Sequence, residues 1–509
     1  MIRKFLIFVF LVGFGSHAAI AHDSARPPGP AEDGTLPALA RIAGEGFMNS
    51  QAFDYLTDLS DNIGGRVTGS PEDQKSIEWS LAKMKAIGLV NVRAEKYSIW
   101  KGWTRGTASA ELLAPVRRKL DIDSMGWTGS TAPNGADADI VTANLFDLDE
   151  EIRNVRRFKG KIVMMKPEGA PKKSFWLIFA QYGDFLVALQ KAGAVAVIGG
   201  QGGFKAEGMH LTHTGVLGFG QDFAIPVVDM AMEDQGQLER FLTAGKPVRV
   251  HINVQNAMSS GPVETANAIG EIPGREFPEQ VVVVGAHLDS WDLSEGTTDN
   301  GTGTSSVLAA ADAIIKSGQR PRRTIRFVLF TGEEQGLLGS LAYTRQHAGE
   351  MNNHLAAVVL DEGQGPISEF QLGGRNDLLP ATRAFVGSLE NIREIKVTDK
   401  CEFGTDTGSF ILMGLPGINL NQDSPDYKYT HHSAADAVEA VKPEVLAQNS
   451  TIMAMTSFWI ADRPDRFASP WPADRTAKML REKGEYDLLK AFGLWTFGDL
   501  GQEANRSVN

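Results

Sequence analysis

Cysteine is nearly absent from this 509-residue sequence, with Cys401 the only one. One thiol forms no internal disulfide and no thiolate zinc site, so a disulfide scaffold and a zinc-ribbon class are both excluded. Cations are in the minority as well, 50 Lys and Arg against 62 Asp and Glu, for a formal net charge of −12. That balance argues against nucleic acid as the main partner, because a phosphate footprint needs clustered Lys and Arg. Beyond the N-terminus no window approaches the roughly 18–20 apolar residues that cross a bilayer. The remaining composition, 42% hydrophobic and 22% charged, is ordinary globular usage and excludes a disordered, collagen-like or coiled-coil chain.

Residues 1–21 read as a secretory signal peptide. Arg3 and Lys4 are the basic start, Phe5 to Gly15 the apolar run, and Ala19-Ile20-Ala21 the small-residue cleavage pattern. The expectation is a secreted or periplasmic protein with no membrane partner once the leader is removed. The assembly is left open, a homodimer included.

The rest of the chain reads as α/β. Ser70-Pro71-Glu72 is a helix start, with a capping hydroxyl, proline at the first helical position and an acid in the first turn. The helix runs to Gly88, and Val92 to Trp100 follows as a strand. Residues 37–103 are thus the first part of a catalytic domain. From 104 to 261 short strands dominate, at Gly160–Met165, Ala194–Ile198, Ala224–Val228 and Val248–Val254, with one helix at Phe185–Ala192. This span reads as an inserted, mostly β module. From 262 to 465 apolar strands alternate with helices: Val281–Val284, a helix Val307–Ile315, Thr324–Phe330, a helix Leu337–Gln346, Leu355–Leu360 and Leu415–Leu420. That alternation predicts a mixed, mostly parallel sheet sandwiched by helices. Residues 466–509 form a polar tail with one helix predicted over Thr476–Phe492.

The chemistry lies just past each apolar strand. Val284 is followed by His287-Leu288-Asp289 and then Asp299-Asn300-Gly301. Phe330 is followed by Glu333-Glu334, Leu360 by Asp361, and Leu420 by His431-His432-Ser433-Ala434-Ala435-Asp436. Open parallel sheets bind ligands at that edge. Two imidazoles with three carboxylates are an oxygen and nitrogen set suited to zinc, with cobalt or manganese as competitors. They are too many for one tetrahedral catalytic zinc and fit two ions that share a carboxylate. In a Glu-Glu pair one acid coordinates and its neighbour stays free as a base, and Asp289 is placed to accept a ring N–H from His287.

Three other strings carry less. Asp406-Thr407-Gly408-Ser409 matches half of an aspartic-protease dyad, but no second copy exists to share the proton. Gly301-Thr302-Gly303-Thr304 precedes a helix without a phosphate-loop lysine. His210-Leu211-Thr212-His213 has weak metal spacing and reads as a lid loop.

Residues 281–303, 322–340 and 404–436 resemble the co-catalytic zinc exopeptidases of the bacterial leucyl aminopeptidase and glutamate carboxypeptidase type. The stretches that carry the likeness are Pro278–Val284, His287–Asp292, Glu333–Gly336, Gly404-Thr405-Asp406 and Tyr427-Lys428-Tyr429 before His431-His432-Ser433. The resemblance implies that His287 and Asp361 hold one zinc, Glu334 and His432 the other, and that Asp299 bridges them. It implies Glu333 as general base. Between His431 and His432 the ligand is the one directly before the Ser, so His432 is chosen and His431 left to the substrate. It also implies that residues 104–261 are a protease-associated domain, expected to limit substrate length rather than supply chemistry. His213-Thr214-Gly215 resembles a string in relatives, which would turn His213 toward the substrate. The implied activity is hydrolysis of small peptides, at free N-termini or of dipeptides. A C-terminal carboxypeptidase would need a basic clamp that the sequence does not place. A glutaminyl cyclase would use one metal, and a binding protein on the same scaffold would have lost ligands.

Overall fold

A computed structural model describes residues 35–199 and 209–498, so the leader at 1–21 lies outside the described residues. The valine run at 281–284 sits in the strand Phe277–His287, buried from Val281 onward. It pairs in parallel with Arg323–Phe330 on one side and His354–Val359 on the other. His354–Val359 pairs in parallel with Gly417–Gln422. Successive side chains of one strand enter opposite layers: Val282 and Val284 join one apolar core, Val281 and Val283 another. Both faces are covered, which is why these strands are apolar throughout rather than alternating.

The sheet is eight-stranded and mixed. Val263–Ile272 runs antiparallel between Arg323–Phe330 and Val90–Ile99. At the other edge Ile367–Gln371 is antiparallel to Gly417–Gln422 and parallel to Lys396–Thr398. The parallel centre is the part the apolar runs predict; the antiparallel flanks are additions. The helices Thr35–Met48, Thr302–Lys316 and Pro443–Asp462 pack on one face through residues such as Leu39, Val307 and Phe458. Leu338–Gln346 and Thr407–Leu412 cover the other through Tyr343 and Phe410. The helix Pro71–Ile87 begins as predicted, with the Ser70 hydroxyl accepting from the Asp73 amide at 3.1 Å, and ends at Gly88 with φ +97°.

A second eight-stranded sheet is built from strands between Ala108 and Val254. Its middle is parallel, Ala136–Asn144, Ile162–Lys166, Ala196–Ile198 and Val227–Met230 side by side. It has apolar cores of its own on both faces. Its main helix, Phe175–Ala192, starts ten positions before the predicted Phe185.

The tail departs from expectation. In place of one helix over Thr476–Phe492 there are two, Ala473–Glu482 and Tyr486–Ala491. Gly484 between them has φ +87°, a left-handed conformation that ends a right-handed helix and that glycine adopts at no steric cost. Leu480, Leu489 and Phe497 bury themselves against Cys401 and Ile411.

Candidate metal centre

Three strands deliver their next residues to one point. His287 ends its strand, Glu333 and Glu334 follow Phe330, and Asp361 follows Val359. Asp299 lies just before the helix Thr302–Lys316, and His432 follows the short helix Tyr427–Thr430. All sit beyond the carboxyl ends of the parallel strands, the edge at which such sheets bind ligands.

Asp299 stands between two groups. Its Oδ1 is 3.3 Å from His287 Nε2, which is 2.9 Å from Asp361 Oδ1. Its Oδ2 is 3.3 Å from His432 Nε2, which is 2.9 Å from Glu334 Oε2. Each carboxylate oxygen thus faces a different histidine–carboxylate pair. The ligand atoms of His287, Asp299 and Asp361 all lie within 4.8 Å of one another, as do those of Asp299, His431 and His432. His431 Nε2 is farther from Asp299, at 3.8 Å; its ring stacks on His432 with centroids 3.8 Å apart and meets the edge of Tyr427. His431 and His432 both line the cleft.

Titration follows from crowding. Burial pushes Glu333 well above the usual carboxylate range, helped by the Asp361 charge. Burial takes Glu334 up to about 7. For His432 burial works the other way, yet Glu334 and Asp299 outweigh it and raise the imidazole to about 10. Burial likewise opposes the charge on His287, but Asp361, Asp289 and Asp299 raise it well above its usual value. Burial and the adjacent His432 push His431 down to about 3. Carboxylates and imidazoles share protons here, and a cation would displace them. The buried Glu334 Oε1 has no hydrogen-bond partner, as suits a ligand atom. With only O and N donors, the set fits zinc.

The supporting residues are mostly ones that sequence reasoning passed over. Asp289 does hold His287, but through its main-chain carbonyl, 2.9 Å from Nδ1, with its carboxylate 3.7 Å away. That carboxylate instead accepts from the amides of Glu333 at 3.2 Å and Glu334 at 3.4 Å and from the Thr68 hydroxyl at 2.9 Å. The reason is reach: the side chain points at the Glu-Glu turn, and the carbonyl is left for the ring. Trp291 Nε1–H donates to Glu334 Oε2 at 2.7 Å. Asp436 accepts from the Thr298 and Asp299 amides, at 2.6 and 3.3 Å. Asn300 donates to Asp361 Oδ1 at 3.0 Å. Arg66, fully buried, donates to the carbonyls of Gly64, Leu288, Glu295 and Gly296 and so pins the loop that leads to Asp299. Asp436 and Trp291 were visible as parts of motifs; Arg66 and Thr68 carried no signal.

The loop that leads to the strand Val227–Met230 contributes directly. His432 Nδ1 donates to the Thr214 carbonyl at 3.1 Å, and the Thr214 amide donates to the His432 carbonyl at 2.9 Å. The segment thus helps to fix the position of His432. His213 does not face the cleft: it is fully buried, its amide bonded to Asp229 at 2.9 Å.

Residues 267–457 match the model of Peptidase family M28. Carboxypeptidase Q of Bos taurus is 30% identical over 419 residues, 82% of this chain and 86% of the bovine one. The chain belongs to Peptidase family M28. Membership makes it a zinc metallopeptidase. The matched segment contains every residue expected to hold metal and both glutamates. Among solved structures, the peptidase M28 precursor of Shewanella amazonensis SB2B aligns with TM-score 0.75 at 26% identity, over 86% of this chain and 99% of that one. The zinc aminopeptidase BSAP of Bacillus subtilis aligns with TM-score 0.61 over 83% of this chain and 97% of that one; at 22% identity this concerns the fold.

Proposed function

We propose that the protein is a two-zinc exopeptidase that cleaves small peptides at free N-termini, as an aminopeptidase or dipeptidase. Residues 1–21 would export it to the periplasm or the exterior, and 104–261 would be an inserted protease-associated domain. The observation that carries the reading is Asp299, whose two oxygens face two separate histidine–carboxylate pairs. His287, Asp361 and Asp299 would hold one ion, and Glu334, His432 and Asp299 the other. Such a pair, when bound, polarises a peptide carbonyl and acidifies a water. Glu333 lines the cleft beside this cluster. It takes the proton from the attacking water and passes it to the leaving amine.

The end of the peptide follows from charge. Asp299, Glu333, Glu334, Asp361, Glu362 and Glu402 line the cleft, and no Lys or Arg does so among the described residues. Three of these acids are assigned to the ions, whose charge offsets theirs. Beyond those three and Glu333, the remaining Glu362 and Glu402 favour an ammonium group, and among the described lining residues no cation pairs a C-terminal carboxylate. The bovine relative's name supports the competing reading, a C-terminal carboxypeptidase. Zinc-reconstituted protein should contain two equivalents of zinc and lose activity when the N-terminus of a dipeptide is acetylated. Amidation of the C-terminus should be tolerated by an aminopeptidase and not by a dipeptidase. Equal cleavage of free and acetylated dipeptides, or one zinc in active protein, overturns the reading.

A further inference from the structure

The cleft has a wall that lies outside the segment matched by the family. Its cavity, about 440 Å³, opens from Asp299, Glu333 and Asp361 between two apolar faces. One face is Phe175, Trp176, Phe179 and Phe219, from the segment of the second sheet. The other is Leu488, Leu489, Phe492 and Leu494, from the tail. The faces meet: the Phe492 ring lies 4.6 Å from Phe219, 5.9 Å from Phe179 and 6.4 Å from Trp176. Phe219 in turn lies against the Glu-Glu turn, where a Cβ on Gly336 would come within 2.6 Å of its ring. The wall is therefore continuous from the tail to the base.

Two features separate this wall from ordinary packing. The tail is anchored elsewhere, by Leu489 and Phe497 against Cys401 and Ile411, with Leu494 packed on the same cluster; Phe492 is not part of that anchor. Phe175 and Trp176 are 51% and 37% exposed, an apolar surface left open at the mouth of a cleft, and contiguous exposed apolar surface marks ligand grooves. We propose that the C-terminal segment 486–494 is a specificity element. With Trp176 and Phe219, its Phe492 and Leu494 receive a large apolar side chain of the substrate peptide. The proposal rests on the peptidase reading above.

The test uses full-length, zinc-loaded protein with Ala-Ala, Leu-Ala, Ala-Leu, Phe-Ala and Ala-Phe as substrates. In Phe492→Ala the ratio of kcat/KM for the preferred large-side-chain dipeptide over Ala-Ala should fall by roughly tenfold or more, the scale of lost apolar contact in a pocket. The loss should appear in KM, zinc content should match wild type, and Phe492→Leu should recover most of the ratio. Trp176→Ala, which removes the ring beside Phe492 in the same wall, should lower the same ratio. An unchanged ratio in both alanine variants, with wild type active, overturns the wall and leaves the peptidase reading standing. A uniform loss across all five dipeptides also overturns it. Wild type that cleaves none of them overturns the peptidase reading and the wall together.

Discussion

Glu333 and Glu334 are adjacent, both acidic and both held by their amides to Asp289, yet their substitution should fail in different ways. Glu333→Gln keeps shape and hydrogen bonding but accepts no proton. Loss of a general base costs roughly 10²–10⁴ in turnover, or about 2.7–5.5 kcal/mol of transition-state stabilisation. Both zincs should remain. Glu334→Gln removes the anion that sits 2.9 Å from His432 Nε2 and places a neutral amide there. That half of the site then relies on His432 and the shared Asp299. The affinity lost should exceed the roughly 10–100-fold typical of an outer-shell partner. Zinc titration against a chromophoric chelator, with kcat measured in zinc-buffered solution, separates the two. Added zinc should restore part of the Glu334→Gln activity and none of the Glu333→Gln activity. If Glu333→Gln sheds a zinc while Glu334→Gln keeps both, the roles are reversed. If neither loses activity, the reaction occurs elsewhere.

Trp291→Phe deletes the indole N–H that donates to Glu334 at 2.7 Å; one zinc should bind roughly 10–100-fold more weakly while the other is unchanged, and equal affinities in competition titration would count against the assignment. Arg66→Met strands the carbonyls of Gly64, Leu288 and Glu295, while Gly296 keeps the Gly301 amide. At about 1–3 kcal/mol for each buried unsatisfied group, urea unfolding should show a loss of about 3 kcal/mol or more, and a loss below about 1 kcal/mol would refute the account. Burial raises the Asp73 carboxyl to about 7, so between about pH 4 and 7 the folded chain binds the proton that the unfolded chain releases. Stability contributed there falls as pH rises through that window. Asp73→Asn should flatten the fall between about pH 4 and 7 in denaturant titrations of metal-loaded protein, and an unaltered slope would sink the argument.

Much of the catalytic layer was legible because burial on both faces forces apolar runs, and the runs at 281–284, 324–330 and 355–360 all lie in parallel strands of one sheet. Acids and histidines just past such runs have one place to go. The antiparallel strand Ile367–Gln371 was illegible because its partly buried pattern carries Ser368 and Glu369. The two-helix tail was misjudged because the amphipathic pattern of Thr476–Phe492 continues across Gly484, whose φ of +87° ends the turn. Asp289 was read as a side-chain partner of His287 because spacing does not distinguish a carbonyl from a carboxylate. Thr214 was visible only as part of the His213-Thr214-Gly215 string: its contact with His432 spans 218 positions and uses the Thr214 backbone, which leaves no residue signature.

That backbone contact has a thermodynamic consequence. Because Thr214 grips both the ring and the main chain of His432, seating of the loop and loading of the ion are reciprocal. Whatever factor zinc adds to the seated loop, the seated loop adds to zinc affinity. An ion on His432, as proposed, would double as a latch for the Thr214 loop, and chelation should loosen it. Deuterium exchange at the Thr214 amide would report this directly, slowing as zinc is added. An exchange rate indifferent to zinc would show that the latch does not exist.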